Sequence, residues 1–279
     1  MPLRFHVPST PNSTQPKTFI NGLARVKELG LDGIEVPFGR GIFLKEDKYE
    51  EVSNTANELD ISLTIHAPYY INLNAKEPEK IKASVGRIMD SARIGEAIGA
   101  KSVCFHAGYR LGDDSKDVLA KMRTSLEILE TNLIAENIKP DIRPETAGKK
   151  SQFGNLQETL ALCAGFTKIK PCIDFAHLMA TSDGKLNNYQ SFCSMLETVK
   201  SSCGEQALKE MHIHAGSVAF GDKGEIKALN LDDPESVFNF KELLQALIDY
   251  EVEGWIVAET PNVEEGALLL QKTYERFNI

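Results

Sequence analysis

Histidine, aspartate and glutamate side chains recur after short apolar segments along this chain. They are His66, His106, Glu145, Asp174, His177, His212 and Glu259. A lone histidine in such a position is more often a structural residue than a ligand. Three carboxylates brought together without a cation, however, would repel one another and take up protons. Imidazole and carboxylate groups suit zinc, manganese or iron, so the set as a whole predicts a site for divalent metal.

More candidate ligands are present than one ion needs. Two ions that share a bridging carboxylate would use them, and paired ions a few ångström apart suit the displacement reaction at a phosphodiester. The residue types therefore predict metal-dependent chemistry, with phosphodiester hydrolysis as one form of it.

The elements that must position these side chains alternate between strand-like and helix-like segments. Strand-like segments occupy residues 3–9, 32–37, 62–67, 102–106, 141–145, 170–174, 210–214 and 254–259, and a segment with helical spacing of apolar residues follows each one. Parallel strands need such crossovers, so eight units predict an α/β fold of the (β/α)₈ TIM barrel type, as a single domain over residues 1–279. An open doubly wound sheet is the alternative, but no G-x-G-x-x-G turn follows the first strand. We interpret residues 38–44, 109–116 and 216–234 as the larger loops.

Composition narrows the classes of partner. Of the 279 residues, 42% are apolar and 25% are charged, and the net charge is −9. This balance argues against a broad basic face for nucleic acid, although it leaves room for a local basic strip around a metal-filled pocket. No apolar segment approaches the roughly 18 residues of a membrane span, so we expect no membrane partner and a cytoplasmic location.

The five cysteines are scattered and contain no C-x-x-C pair. We therefore expect neither a disulfide framework nor a zinc site built from cysteines alone. Cys104 and Cys172 lie inside apolar strand-like segments, where a reduced thiol acts as a small hydrophobic side chain.

Six short segments resemble, in order along the chain, motifs of the endonuclease IV family of abasic-site DNA repair enzymes. They are His66-Ala67-Pro68-Tyr69-Tyr70-Ile71-Asn72-Leu73, Phe105-His106-Ala107-Gly108, Pro144-Glu145-Thr146-Ala147-Gly148, Ile173-Asp174-Phe175-Ala176-His177, Met211-His212-Ile213-His214 and Ala258-Glu259-Thr260. Each motif is weakly specific alone, but the ordered set covers nearly the whole chain. The resemblance implies a zinc-dependent hydrolase that acts as an endonuclease in DNA repair and binds DNA that contains abasic sites.

The resemblance also implies roles for individual residues. It assigns one ion to His66, His106 and Glu145. It assigns a second ion to Glu145, Asp174, His212 and Glu259, with Glu145 as the bridge. We therefore expect Glu145 and Glu259 to be the catalytic carboxylates, with Glu259 also orienting the attacking nucleophile.

The third zinc of this family is less well matched. His177 would hold it together with a D-x-H motif after the seventh strand, but residues 217–227 contain no histidine. The nearest alignment of this segment with the motif places Glu225 at the aspartate position and Lys227 at the histidine position. Asp222 is another candidate carboxylate. A charged lysine cannot bind a metal ion, so we expect two ions. Zinc is the first choice, with manganese or iron as alternatives.

Three further residues are candidates for contact with substrate. Arg40 lies in the second loop and could contact a phosphate, since guanidinium matches phosphate geometry, but a solvent-facing arginine is an equal alternative. Tyr69 could line a DNA or sugar pocket or be a half-buried tyrosine of the barrel. Asn72 is a candidate because it belongs to the first of the matched motifs, the segment that begins at His66.

A second function is open on the same residues. Sugar isomerases and epimerases of the xylose-isomerase-like barrels resemble this chain through Glu145, Asp174, His212 and Glu259. The resemblance implies one divalent ion, a small sugar substrate and acid–base glutamates that move a proton. His66 and His106 in their motifs favour the nuclease. A binding or scaffold role fits poorly, because such a domain has little use for this many ligands.

Overall fold

A computed structural model describes residues 2–277 of the chain. Eight strands form a closed sheet: β1 (Leu3–Val7), β2 (Gly33–Pro37), β3 (Ser62–His66), β4 (Ser102–His106), β5 (Asp141–Glu145), β6 (Cys172–Asp174), β7 (Met211–His214) and β10 (Gly254–Val257). Their order around the sheet is β1-β10-β7-β6-β5-β4-β3-β2, and the paired strands run parallel. The predicted (β/α)₈ barrel is confirmed.

Helices follow the barrel strands, as crossovers between parallel strands require. They are α1 (Phe19–Glu28), α2 (Tyr49–Glu58), α3 (Pro78–Ile98), α4 (Ser115–Ala135), α5 (Leu156–Cys163), α6 (Phe175–Thr181), α7 (Tyr189–Cys203), α8 (Phe240–Asp249) and α9 (Glu264–Phe277). Local sequence fixes their ends. Asn155 forms a capping box with Glu158 at the start of α5, and Gly99 ends α3 in the left-handed region. No helix within residues 2–277 has the length and apolar character that crossing a membrane requires.

Two elements differ from the sequence-based expectation. The segment predicted as one loop over residues 216–234 contains an antiparallel hairpin of β8 (Ser217–Gly221) and β9 (Gly224–Leu229). The short helix α6 also was not predicted. It begins directly after β6 because Asp174 caps it: the backbone N–H of His177 donates to Asp174 Oδ1 at 2.7 Å.

Backbone contacts group the chain into two compact units. The first contains residues 2–34, 148–150 and 173–277, and the second contains residues 35–147 and 151–172. Each unit carries its own group of candidate ligands, and we describe the two groups separately. The expectation of a single domain over residues 1–279 stays a prediction.

A glycine sets the close pairing of β10 with β7 in the first unit. Gly254 has a φ of 117°, and a Cβ at this position would overlap the carbonyl oxygen of Met211. Gly30, after α1, has a φ of 76° but open space around its Cα. Substituting each of these two glycines therefore distinguishes the cost of a left-handed backbone from the cost of a steric overlap between strands.

We expect Gly254→Ala to lower the free energy of unfolding by about 1–3 kcal/mol more than Gly30→Ala, because only the first change forces two strands apart. Both variants carry the cost of a left-handed backbone, about 1–2 kcal/mol. Urea unfolding followed by circular dichroism measures the difference. Equal losses in the two variants would show that β7 and β10 tolerate the added methyl group.

Candidate metal centre

In the second unit, two imidazoles face one oxygen of Glu145. His66, His106 and Glu145 are the last residues of β3, β4 and β5, and the strand register sets His106 directly beside Glu145. His66 Nε2 lies 3.4 Å and His106 Nδ1 lies 3.5 Å from Glu145 Oε2. Glu145 is only 1% exposed. The three side chains thus converge at the carboxyl ends of neighbouring strands, the face that carries active sites in this fold.

A backbone hydrogen bond sets which nitrogen of His66 faces Glu145. The Nδ1 atom of His66 lies 2.8 Å from the carbonyl oxygen of Ala67. A carbonyl can only accept, so Nδ1 carries a proton, and Nε2 is the nitrogen that faces the Glu145 carboxylate. A metal-binding histidine is held through its second nitrogen in the same way.

The first unit contains a second group of imidazoles and carboxylates. His177 Nδ1 lies 3.4 Å from Asp174 Oδ2, and His177 Nε2 lies 3.3 Å from Glu225 Oε2. His214 Nδ1 lies 3.4 Å from Glu259 Oε1. Asp174 is 1% exposed and His214 is fully buried. Asp174 and His214 therefore lie where charge is poorly solvated and needs a partner.

The spacing of these five pairs is longer than that of direct charge-assisted hydrogen bonds, which measure about 2.7–2.9 Å. Ion pairs elsewhere in the molecule range from 2.6 Å, in Arg110–Glu158 and Lys76–Asp113, to 3.7 Å, in Lys209–Glu253. Zinc binds imidazole and carboxylate ligands at about 2.0–2.1 Å, so two ligands at the tetrahedral angle lie about 3.3–3.4 Å apart. The imidazole–carboxylate pairs are thus spaced as ligands around a cation would be.

The β8–β9 hairpin brings Glu225 to His177. The backbone N–H of Glu225 donates to the carbonyl oxygen of Gly148 at 2.7 Å. A Cβ at Gly148 would lie 2.6 Å from His177 Cδ2 and 2.7 Å from Glu225 Oε2, so only glycine permits this approach. Glu225, which the sequence alignment with the family motif places at the aspartate position, therefore lies beside His177, and its role as a ligand stays a prediction. Lys227, at the histidine position of that motif, is exposed and pairs with Glu235 at 3.3 Å.

His214, rather than the predicted ligand His212, lies beside Glu259. Both side chains are on the same side of β7 because they are two residues apart. The His212 ring is buried and packs edge-on against Trp255, with ring centroids 6.3 Å apart. Ligation by His212 stays a prediction. One signal in the sequence pointed to His214: candidate ligands such as His66 and His106 are each the last residue of a strand, and His214 is the last residue of β7.

Two of the three predicted substrate contacts share one loop surface in the second unit. Tyr69 is 64% exposed, and its ring lies edge-on to His66 with centroids 5.6 Å apart. The backbone N–H of Tyr69 donates to the carbonyl oxygen of Gly39 at 2.9 Å, which places the exposed Arg40 in the adjoining loop. Both side chains are therefore accessible near the first group of ligands, and their contact with substrate stays a prediction.

Asn72 joins two loops instead of facing outward. Its side-chain oxygen accepts the backbone N–H groups of Asn74 at 3.1 Å and Tyr109 at 3.2 Å. Gly108, with a φ of 133°, leaves room for this contact, because a Cβ there would overlap Asn72 Oδ1. The Asn72 amide thus joins the loops that follow His66 and His106, together with hydrogen bonds from Asn74 Nδ2 to the carbonyl oxygens of Tyr109 and Arg110.

Glu158 ties the loop after β4 to the start of α5. Arg110 donates to both its carboxylate oxygens, at 2.7 and 2.6 Å. Burial acts to raise the pKa of Glu158, but hydrogen bonds from Arg110 and from the backbone amides of Asn155 and Gly154 outweigh it. They hold the pKa of this carboxyl below its ordinary value.

We expect Asn72→Ala to lower the free energy of unfolding by about 1–3 kcal/mol, because two backbone donors lose their acceptor. Asn72→Asp keeps the acceptor oxygen and is the matched control. Urea unfolding of both variants measures the effect. A normal stability for Asn72→Ala together with a raised KM would instead support the substrate contact that the motif predicts.

The Glu158 clamp predicts a pH dependence of stability. A carboxyl whose pKa is depressed on folding stabilises the protein above its unfolded pKa, about 4.3, and loses this contribution as pH falls through the folded pKa. The free energy of unfolding of Glu158→Gln should therefore be lower than that of the unmodified chain near neutral pH, and the difference should shrink in acid. A difference that stays constant with pH would contradict the ionic clamp.

Comparisons with known proteins agree with this architecture. Residues 23–277 match the family described as xylose isomerase-like TIM barrel. The chain is 39% identical over 249 residues to the uncharacterized protein MJ0133 of Methanocaldococcus jannaschii, covering 89% of each chain. It is 29% identical over 208 residues to the probable endonuclease 4 of Geobacillus sp. strain WCH70, covering 73% of this chain and 65% of that protein. The match therefore spans slightly less than two thirds of the endonuclease relative.

Solved structures of two kinds share the fold. A D-tagatose 3-epimerase-like protein superposes with a TM-score of 0.76 at 18% identity, covering 99% of this chain and 98% of the other. Endonuclease IV from Thermus thermophilus superposes with a TM-score of 0.70 at 17% identity, with the same coverage. At such identities the superpositions establish the architecture alone. The family match over residues 23–277 places this chain in the xylose isomerase-like TIM barrel family.

Proposed function

We propose that this chain is a metal-dependent phosphodiesterase of the endonuclease IV type that cleaves DNA at abasic sites. The observation that carries the proposal is the pair of imidazoles, His66 and His106, that face Glu145 Oε2 at 3.4 and 3.5 Å. A sugar isomerase with a single four-ligand ion has no use for these two histidines. The relatives named probable endonuclease 4 support the same choice.

The donor sets fit divalent ions. His66, His106 and Glu145 would hold one ion. In the first unit, Asp174, Glu259 and a histidine of β7 would hold a second. Divalent ions bound there would polarise the phosphodiester and offset the negative charge that develops on its oxygens. The role of Glu145 as a bridge between ions stays a prediction.

The chain's own residues would orient the reactants. The Glu259 side chain is 32% exposed and has one oxygen 3.4 Å from His214, which leaves its carboxylate accessible to an attacking water. Glu259 would therefore accept a hydrogen bond from that water and fix its direction. Arg40 and Tyr69 would contact the DNA backbone and the exposed lesion, since such contacts position a strand without reading its sequence.

A specific observation favours the sugar isomerase as the second candidate. Lys227 occupies the histidine position of the third-ion motif and pairs with Glu235, so the first unit lacks one imidazole of the nuclease pattern. Asp174, His214 and Glu259 would still serve a single divalent ion and proton transfer on a small sugar.

The double variant His66→Ala/His106→Ala distinguishes the two functions. In the nuclease it removes two ligands, and we expect cleavage of a duplex oligonucleotide with one abasic site to fall at least about 100-fold, since even outer-shell changes cost 10–100-fold. Circular dichroism checks folding, and the same duplex without the lesion is the substrate control. Full cleavage by the double variant would overturn the proposal. The sugar isomerase would be established if the unmodified chain does not cleave DNA and both it and the double variant epimerise a ketose.

A further inference from the structure

A buried thiol lies directly beside the first group of ligands. Cys104 is fully buried on β4, two residues before His106, so both side chains are on the same side of the strand. The strand register pairs Cys104 with His66. Its sulfur, a ring nitrogen of His66 and a carboxylate oxygen of Glu145 all lie within 4.8 Å of one another.

The surroundings of this thiol are polar, in contrast to the hydrophobic role that its apolar segment predicts. Cys104 Sγ donates to Glu35 Oε2 at 3.6 Å, and Thr64 Oγ1 donates to the same oxygen at 3.0 Å. Glu35 is 1% exposed. The sulfur thus lies between two buried carboxylates, those of Glu35 and Glu145. The thiol offers these carboxylates only one weak hydrogen-bond donor, whereas a cation bound beside it would offset the negative charge of both.

We propose that Cys104 is an additional ligand of the ion held by His66 and Glu145, which gives this centre a nitrogen, oxygen and sulfur donor set. The inference rests on the metal centre of the proposed function. Zinc binds cysteine sulfur at about 2.3 Å and histidine nitrogen at about 2.0–2.1 Å, so small side-chain rotations bring the three donors to one ion. Coordination replaces the proton on sulfur by the metal, and that proton leaves to solvent.

The thiolate would decide which metal the chain selects. Soft sulfur ligands favour zinc, and its spectroscopic substitute cobalt, over manganese and magnesium, which prefer oxygen. Cys104 would then determine which metal binds, although it lies outside the ligand positions of the sequence motifs.

Cobalt(II) substitution tests the proposal through spectra instead of activity. The metal-free chain is titrated with Co²⁺ and compared with Cys104→Ser and with Cys163→Ser, a matched buried cysteine on α5 of the same unit. We expect a sulfur-to-cobalt charge-transfer band in the near ultraviolet for the unmodified chain and Cys163→Ser. Cys104→Ser should lose this band but keep the visible d–d bands, because His66, His106 and Glu145 remain.

The possible results separate the inference from the function on which it rests. Visible d–d bands without the charge-transfer band in the unmodified chain, or a charge-transfer band that persists in Cys104→Ser, would overturn ligation by Cys104 alone. Absence of all cobalt bands would overturn the metal centre and this inference together. Cys104→Ala repeats the test if the serine variant does not fold. A competition titration should also show the preference for Zn²⁺ over Mn²⁺ falling at least about tenfold in the variant.

Discussion

The constraint on which the structure depends is the crowding of buried carboxylates and imidazoles at the carboxyl ends of the strands. Glu145 and Asp174 are each 1% exposed, and their neighbouring imidazoles stand 3.4–3.5 Å away, beyond the range of short charge-assisted hydrogen bonds. Carboxylates in such places cost free energy unless a cation or strong donors offset their charge. A divalent ion in each unit would supply that charge and account for the spacing.

Hydrogen bonds of the neighbouring loops restrain the candidate ligands in each unit. In the second unit, Asn72 joins the loops that follow β3 and β4, and Arg110 ties the latter to α5 through Glu158. In the first unit, Gly148 admits the β8–β9 hairpin so that Glu225 can reach His177. The Asn72 and hairpin contacts use backbone amides, and the Arg110–Glu158 contact is a pair of guanidinium–carboxylate hydrogen bonds. The candidate ligands at the strand ends are therefore backed by restrained loops, the kind of support that a selective metal site needs.

Much of this arrangement was predictable from the sequence because it follows strand period and strand ends. Alternation of strands and helices predicts the barrel, and placement after apolar segments identifies His66, His106 and Glu145. Strand period did not separate His212 from His214, since both share one face of β7, and only the position of His214 at the end of the strand favoured it. The contacts of Asn72 and the polar neighbours of Cys104 could not be predicted from the sequence either. Their roles depend on residues distant in sequence, Tyr109 and Glu35, that only the folded chain brings close.

The balance between DNA and sugar chemistry depends on how many ions the chain holds. An epimerase-like protein and an endonuclease both share this fold. We propose phosphodiester cleavage because the second unit carries two additional histidines, His66 and His106. Lys227 at a motif position argues against a third ion, whereas Glu225, 3.3 Å from His177, would still offer one carboxylate for it. The number of bound ions is therefore more informative than any single activity assay.

The most direct test is the metal content of the purified, unchelated protein by inductively coupled plasma mass spectrometry. The account predicts two or more zinc-type ions per chain. A single manganese-type ion would contradict the phosphodiesterase assignment and leave the sugar isomerase, and a folded protein with no bound metal would contradict the metal centre itself.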